Sequence, residues 1–303
     1  MLFNFFKVKK DYIKNRIIVS FLGIKFHFKF RTEMKVGVAY NLFDGEELLE
    51  SSIKSIRDCV DYICVVYQKV SYYGDKASAD LEVVLNSLVE NGLIDEIFLY
   101  ERDFNSQQSK KLFEIEKRNI GLELCRKAGM TYFLSADVDE YYDSKQFKKA
   151  LEYIYLNDID ASACSLFYYI KTPEYRLVAD QDEENYYVPF VCKIFNESIH
   201  GNDFFSTYCD SCRIITPYKK FYLFPIQTVV MHHMSTIRNN LEKKYLNSSS
   251  NDGGIECKKK MTKDQEDIIS WRPEENRIGN TEFFFFNNKI VKKVKNIFNV
   301  PTF

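Results

Sequence analysis

"KVGVAYNLFDGEELLESSIKSIRDCVDYICVVYQ", Lys35 to Gln68, reads as a strand, a loop, a helix and a second strand. Val36 to Tyr40 is a short apolar run. Asp44 or Gly45 stands where a helix cap belongs, and Leu48, Leu49, Ile53 and Ile56 fall on one face at helical spacing. Tyr62 to Tyr67 is a continuous apolar run, the pattern of a strand buried on both faces. The alternation continues with a helix over Ala79 to Glu90, ended by Asn91-Gly92, and a strand over Glu96 to Tyr100. A helix over Lys111 to Lys127, ended near Gly129, then leads to a strand over Thr131 to Ser135. Strands alternating with helices at this spacing require right-handed crossovers, so an α/β fold is expected, with a mostly parallel sheet flanked by helices.

That last strand runs into "YFLSADVDEYYD", which sets out Asp137, Asp139, Glu140 and Asp143 in quick succession. Ligands of an open parallel sheet bind beyond the carboxyl ends of its strands, and Asp137 and Asp139 lie there. Mg²⁺ and Mn²⁺ bind through one or two carboxylates, completing their shells with phosphate oxygens and water. The pair therefore reads as a site for a divalent cation bridging a diphosphate, against the plainer reading of an acidic turn.

The chain has 303 residues, of which 46% are hydrophobic and 16% aromatic, enough for a large core without disulfides or a structural metal. The net charge of -1 conceals a segregation. Up to Arg31 eight cations face Asp11 alone, so this stretch is +7 and the remainder carries -8. Nucleic acid is excluded as a partner, since its recognition needs basic charge over the folded body, and a metal nuclease is disfavoured with it. The eight cysteines form no disulfide framework and read as reduced thiols of a cytoplasmic protein. Cys209 and Cys212 make a lone C-x-x-C, and zinc would need two further ligands. No apolar run has membrane-spanning length, and the first residues lack a signal-peptide pattern.

Three regions are expected: a basic amphipathic segment over 1–33, a catalytic domain over 34–235, and a C-terminal extension over 236–303. In the second, "ASACSLFYYI", "YYVPFVCKIF" and "FYLFPIQTVVMHHM" read as β-rich segments. In the third, "LEKKYLNSSSNDGGIECKKK" reads as a mobile polar loop. "NNKIVKKVKNIFNV" reads as a basic helix, with Ile290, Val291, Val294, Ile297 and Phe298 at helical spacing. The N-terminal segment interleaves Leu2, Phe3, Phe5, Phe6, Ile17, Ile18 and Phe21 with cations. It suits either the inner face of the cell membrane, as a peripheral contact, or ordinary packing as a helix and hairpin.

"VAYN" and "EKRNIGLELCRKAGMTYFLSADVDEYY" together resemble the nucleotide-sugar glycosyltransferases of the GT-A fold, especially the family-two-like bacterial enzymes that build surface polysaccharide. The resemblance covers about Lys35 to Asp143: a strand ending near Tyr-Asn, an R-N-x-G on a helix, an apolar strand, then D-x-D. It implies a Rossmann-like GT-A domain with a β-rich and helical C-terminal part, which transfers a sugar from a nucleotide diphosphate donor, a UDP-sugar favoured, to a glycan or lipid-linked glycan. It implies that Tyr40 and Asn41 lie against the nucleotide, and that Arg118 and Asn119 face the donor sugar or diphosphate. Asp137 and Asp139 would hold Mn²⁺ or Mg²⁺, joined by a C-terminal histidine, His232 or His233. Adjacent strand residues point opposite ways, so at most one of the two histidines reaches the metal.

The family's base-reading Asp at the end of the second strand is here Gln68, which leaves the nucleotide open, with Asp75 as a substitute. Inverting chemistry, implied by the same resemblance, needs a general base, and Asp203 in "HGNDFF" is preferred to Asp210 and to the acidic run Asp180, Asp182, Glu183 and Glu184. Two other readings stand beside this one. A catalytically silent membrane-surface scaffold would keep the fold, and a sugar nucleotidyltransferase would need a glycine-rich phosphate loop where "NLFDGEE" offers one glycine.

Overall fold

The structure, a computed structural model, describes residues 6–11, 16–21, 24–29, 33–106, 108–178, 187–201, 209–248, 254–279 and 289–303. The chain divides into two compact units, Met1–Met34 and Lys35–Phe303. The first is an antiparallel meander of β1 (Phe6–Asp11), β2 (Arg16–Phe21) and β3 (Ile24–Lys29), with no helix among its described residues. Its register pairs Val8 with Val19 and Val19 with Phe26. Phe6, Val8, Val19, Phe21, Phe26 and Phe28 therefore occupy positions of one face, with Lys10, while Lys7, Lys9, Arg16, Lys25 and Lys29 occupy positions of the other.

The second unit opens with β4 (Val36–Leu42), α1 (Glu46–Ile56), β5 (Tyr62–Tyr67), α2 (Leu81–Glu90), β6 (Glu96–Leu99), α3 (Lys110–Lys127) and β7 (Tyr132–Asp137). These are the strands and helices expected from apolar spacing, and the four strands are parallel. The helix of "FDGEELLESSIKSI" forms because Leu48, Leu49, Ser52, Ile53 and Ile56 make a continuous buried stripe. The acids Glu46 and Glu47 sit in its first turn, where the helix dipole favours them. Helix α3 lies close on β4: a Cβ added to Gly121 would meet Ala39 Cβ at 2.5 Å. Glycine at that position sets the helix–sheet distance.

From β4 the chain steps outward through β5 to β6, then returns to place β7 on the other side of β4. This reversal opens a crevice at the carboxyl ends of β4 and β7. Next come β8 (Glu140–Tyr142), α4 (Ser144–Asn157), β9 (Ala161–Ile170), β10 (Thr172–Leu177), β11 (Tyr187–Pro189) and β12 (Cys192–Lys193), the last an antiparallel edge on β7. β13 (Ile199–His200) pairs with β14 (Ile215–Thr216). β15 (Phe221–Phe224) and β16 (Val230–His233) both run parallel to β9, the centre of a second, mixed sheet. β16 also pairs with β8, which ties the C-terminal half to the acidic turn.

Two expectations for the C-terminal part are corrected. The stretch read as a mobile loop contains α5 (Leu241–Leu246) and the start of α6 (Gly254–Ser270). Ile268 near the end of α6 and Trp271 just beyond it are buried against Leu177 and Ile278, a tertiary anchor that local polarity does not reveal. The stretch read as a basic helix is instead β18 (Lys289–Lys293), which follows β17 (Arg277–Ile278) and joins β10 by pairing Val291 with Leu177. Ladder hydrogen bonds along the β10 edge override the helical spacing.

Candidate active site

The acidic run after β7 resolves into four separate roles. Asp143 caps α4, its Oδ1 accepting from the backbone N–H of Lys145 and Gln146. Glu140 is buried in an ion pair with Arg213, whose Nη2 donates to Oε2 at 2.7 Å. Burial still pushes the Glu140 carboxyl up, against the pull of Arg213. The remaining acids, Asp137 and Asp139, lie in contrasting environments.

Asp137 is the last residue of β7 and keeps about a third of its side chain, 34%, in solvent. Its two oxygens accept from Arg118 Nη2 at 3.1 and 3.2 Å. Arg118 is itself buried, and its other N–H groups go to Glu114 and to Ser135 Oγ. With the Asn41 amide oxygen turned toward it, Nη1 also donates there at 2.9 Å. The guanidinium fork thus fixes α3, β4 and β7 at one point. Burial alone would raise the Asp137 carboxyl, but Arg118 and Arg213 outweigh it and hold it below the usual range.

Asp139, in the β7–β8 turn, is almost fully buried. Oδ2 accepts from Arg238 Nη2 at 2.5 Å and from Lys244 Nζ at 2.5 Å. Burial is again outweighed, here by Lys244, Arg238 and His233, and the carboxyl lies well below the usual carboxylate range. Oδ1 is buried without a hydrogen-bond partner, and His233 Nε2 stands 3.5 Å from it. The imidazole Nε2–H can itself donate toward Oδ1 in this arrangement; with that nitrogen deprotonated, the same oxygen and nitrogen are ligands of the kind Mn²⁺ and Mg²⁺ accept. No three His, Cys, Asp or Glu side chains among the described residues gather as a metal cage. Any ion here would take its other ligands from substrate oxygens and water, as these ions do.

The structure brings together Asn41, Arg118, Asp137, Asp139 and His233. Other expected residues lie elsewhere. Tyr40 is not turned toward a nucleotide: its side chain is buried against α1, with the hydroxyl 3.1 Å from Ser52 Oγ. Its neighbour Asn41 takes the crevice because successive strand residues alternate. Asn119 does not face the donor position. Its amide accepts from His200 N at 2.7 Å and donates to His200 O at 3.1 Å, pinning β13. One step along a helix turns a side chain by about 100°, which separates Asn119 from Arg118. His232 is not a ligand in this arrangement: its Nδ1 lies 2.6 Å from the Tyr169 hydroxyl, and its ring packs edge-on against Phe167 and Phe298. Burial pushes its pKa down to about 4, so it is a neutral core residue.

Gln68 lies one residue beyond β5, 3% exposed, with Oε1 buried and unpartnered. Asp75 sits on an exposed turn that its backbone closes with Ser71. Asp210 caps a short 3-10 turn through Cys212 N, and that turn delivers Arg213. Burial pushes the Cys209 and Cys212 thiols up to about 12, away from redox or metal chemistry. Asp203, Asp180, Asp182, Glu183 and Glu184 lie outside the described residues.

Sequence reasoning missed Arg213, Arg238, Lys244 and Lys117. Lys117 is buried beside Arg118 and donates from Nζ to Leu42 O at 2.7 Å; burial pushes its pKa down to about 7. No local pattern marks any of these cations. One signal does exist for Arg238: Gly45, with φ of +84°, leaves the space its guanidinium occupies, since a Cβ there would fall 1.2 Å from Nη1.

No family model matches the sequence, and no curated protein matches it. Among solved structures, S. aureus TarS 1–349 is similar at a TM-score of 0.40 and 10% identity, covering 78% of this chain and 71% of that one. GalNAc-T7 with UDP, GalNAc and Mn²⁺ is similar at a TM-score of 0.34 and 14% identity, covering 48% of this chain and 25% of that one. Glucosyl-3-phosphoglycerate synthase from Mycobacterium tuberculosis, in complex with Mn²⁺, UDP and glucosyl-3-phosphoglycerate, is similar at 0.28 and 15%, covering 45% and 44%. The chain covers 22% of the longer TarS chain and 36% of TarS 1–349 in complex with UDP. At such scores these likenesses carry no argument about this chain, whose architecture rests on its own strand order and register.

Proposed function

We propose that the chain is a metal-dependent nucleotide-sugar glycosyltransferase of the GT-A fold. The observation that carries the reading is the pairing of Asp139 Oδ1 with His233 Nε2, 3.5 Å apart, beside the Arg118-held Asp137 at the end of β7. Asp139 and His233 would hold Mn²⁺ or Mg²⁺, which when bound supplies Lewis-acid stabilisation of a departing nucleoside diphosphate. Asp137, anchored by Arg118 and partly open, accepts a hydroxyl of the donor. Gln68 offers an amide oxygen and an amide N–H to a base edge, which matches the N3–H and O4 of uracil, and a UDP-sugar is the donor we favour. Asp203 keeps the role of base in an inverting transfer to a glycan or lipid-linked glycan.

Support for a membrane-side acceptor comes from the first unit, whose register gathers most apolar positions on one face and, Lys10 apart, the cationic ones on the other. A peripheral place on the cytoplasmic face of the membrane belongs to the same reading.

The test is calorimetric titration of UDP, GDP and CMP, with and without Mn²⁺, into the protein and its Asp137→Ala and Asp139→Ala variants. Metal-dependent binding of one nucleotide, lost in both variants, is the expected result. Folded protein that binds no nucleotide would leave the ion-paired carboxylates as structural groups and the chain as a silent scaffold.

A further inference from the structure

The Lys244 ammonium occupies the carboxylate that the proposed metal site needs. It approaches Asp139 Oδ2 from α5, a helix of six residues none of which is buried. The helix is seated by Leu241 and Tyr245, which pack against the buried cluster around Ile268 and Trp271, and surface contacts add to this. Asn239 N donates to Glu47 Oε1, Lys243 lies 5.4 Å from the centroid of the Phe43 ring, and the Tyr73 hydroxyl donates to Ser248 O. Arg238, the other cation on Oδ2, is differently held. Its side chain is 3% exposed, it threads past Gly45, and Nη1 donates to Asp44 O. Arg238 is thus built into the β4–α1 loop, whereas the Lys244 side chain, 28% exposed, stands at the edge of the site and can swing away while its helix stays in place.

We infer that Lys244 is an exchangeable counterion for the donor. In the donor-free protein it neutralises Asp139; when a divalent cation and a nucleoside diphosphate arrive together, it leaves Asp139 and pairs with a diphosphate oxygen. This deepens the glycosyltransferase reading and rests on it. Charge dictates the direction. The acids Glu114, Asp137, Asp139 and Glu140 are already matched by Arg118, Arg213, Arg238 and Lys244. A divalent cation entering alone would crowd an ammonium against like charge in a buried site, which is costly at low dielectric. Entering with a diphosphate, it brings the anion that Lys244 can move to. Fixed Arg238 keeps Asp139 ionised throughout. Lys244 thereby couples metal binding to donor binding, and each favours the other by the same factor.

The experiment measures Mn²⁺ binding by the loss of the free-ion electron paramagnetic resonance signal, with and without UDP, in the wild-type protein, Lys244→Met and Lys244→Arg. Thermal melts confirm that each variant is folded. Lys244→Met is expected to bind Mn²⁺ alone about tenfold more tightly than wild type, and the UDP–Mn²⁺ pair about tenfold more weakly. Lys244→Arg, which keeps the charge, should stay near wild type for Mn²⁺ alone. Mn²⁺ alone binding no more tightly to the Met variant, while wild type binds UDP with Mn²⁺, overturns the exchange and leaves the donor site standing. Tighter Mn²⁺ binding in the Met variant with no UDP binding in any form supports Lys244 as the metal's competitor and overturns the donor reading. Folded proteins that bind neither Mn²⁺ nor UDP overturn both.

Discussion

Asn41 and Asp137 are register partners at the carboxyl ends of β4 and β7, and one guanidinium, that of Arg118, reaches both. Arg118 arrives from α3, held close to β4 by Gly121, three residues along the same helix. The crevice of the parallel sheet is therefore closed at its base by a buried ion network with Asp137 on its open side.

Arg118→Met should lower stability by roughly 3 kcal/mol, because Glu114 and Asp137 would lose a shared buried counterion. Arg118→Lys should restore part of that and still bind nucleotide at least about tenfold more weakly, since an ammonium cannot reproduce the fork. Urea unfolding and nucleotide titration measure the two effects. A Met variant as stable as wild type would show that the network does not hold the crevice.

The two histidines of "MHHM" should separate cleanly. His233→Ala is expected to lower Mn²⁺-dependent nucleotide affinity by about tenfold or more with little change in melting temperature. His232→Ala should do the reverse, costing roughly 2 kcal/mol by opening a void beside Phe167 and Phe298 and leaving the Tyr169 hydroxyl unpaired. Equal effects on metal binding would refute the assignment.

Gly45→Ala forces an L-residue into a left-handed conformation and places its Cβ on the Arg238 guanidinium. A loss of about 2 kcal/mol or more is expected in thermal or urea unfolding. Weaker nucleotide binding should accompany it, because a displaced Arg238 no longer orients Asp139.

Asp264 sets a pH dependence remote from the crevice. Burial, then the charge of Asp267, pushes its pKa up to about 7 from the ordinary carboxylate value of 3.8. Between those values the folded chain holds a proton that the unfolded chain has lost, so its contribution to stability falls as pH rises from about 4 to about 7. Asp264→Asn should therefore gain on wild type by roughly 2 kcal/mol between pH 4.5 and pH 8. A constant difference across that range would mean that Asp264 titrates normally.

The parallel core was legible because β4, β5 and β7 are largely apolar runs and each helix between the strands carries a buried stripe. Those signals are local, and burial on both faces of β4, β5 and β7 leaves few alternatives. The C-terminal part was less legible. Residues 289–293 carry helical spacing, yet the free edge of β10 recruits them as a strand. An open strand edge is a property of the assembled sheet, and no window of sequence contains it.

Sequence by itself determined the α/β order and the placement of Asp137 and Asp139 at the carboxyl end of a strand, since hydrophobic periodicity and turn chemistry act over a few residues. It also determined, through strand alternation, that His232 and His233 could not both reach a metal. That His233 and not His232 lies beside Asp139, and that Tyr40 and Asn119 turn away, depended on which face of each element met the core. The counterions were decided wholly by tertiary structure: Arg213, Arg238 and Lys244 lie about 75 to 105 residues from the acids they pair with. Coulombic attraction acts over a few ångströms of space and carries no memory of distance along the chain.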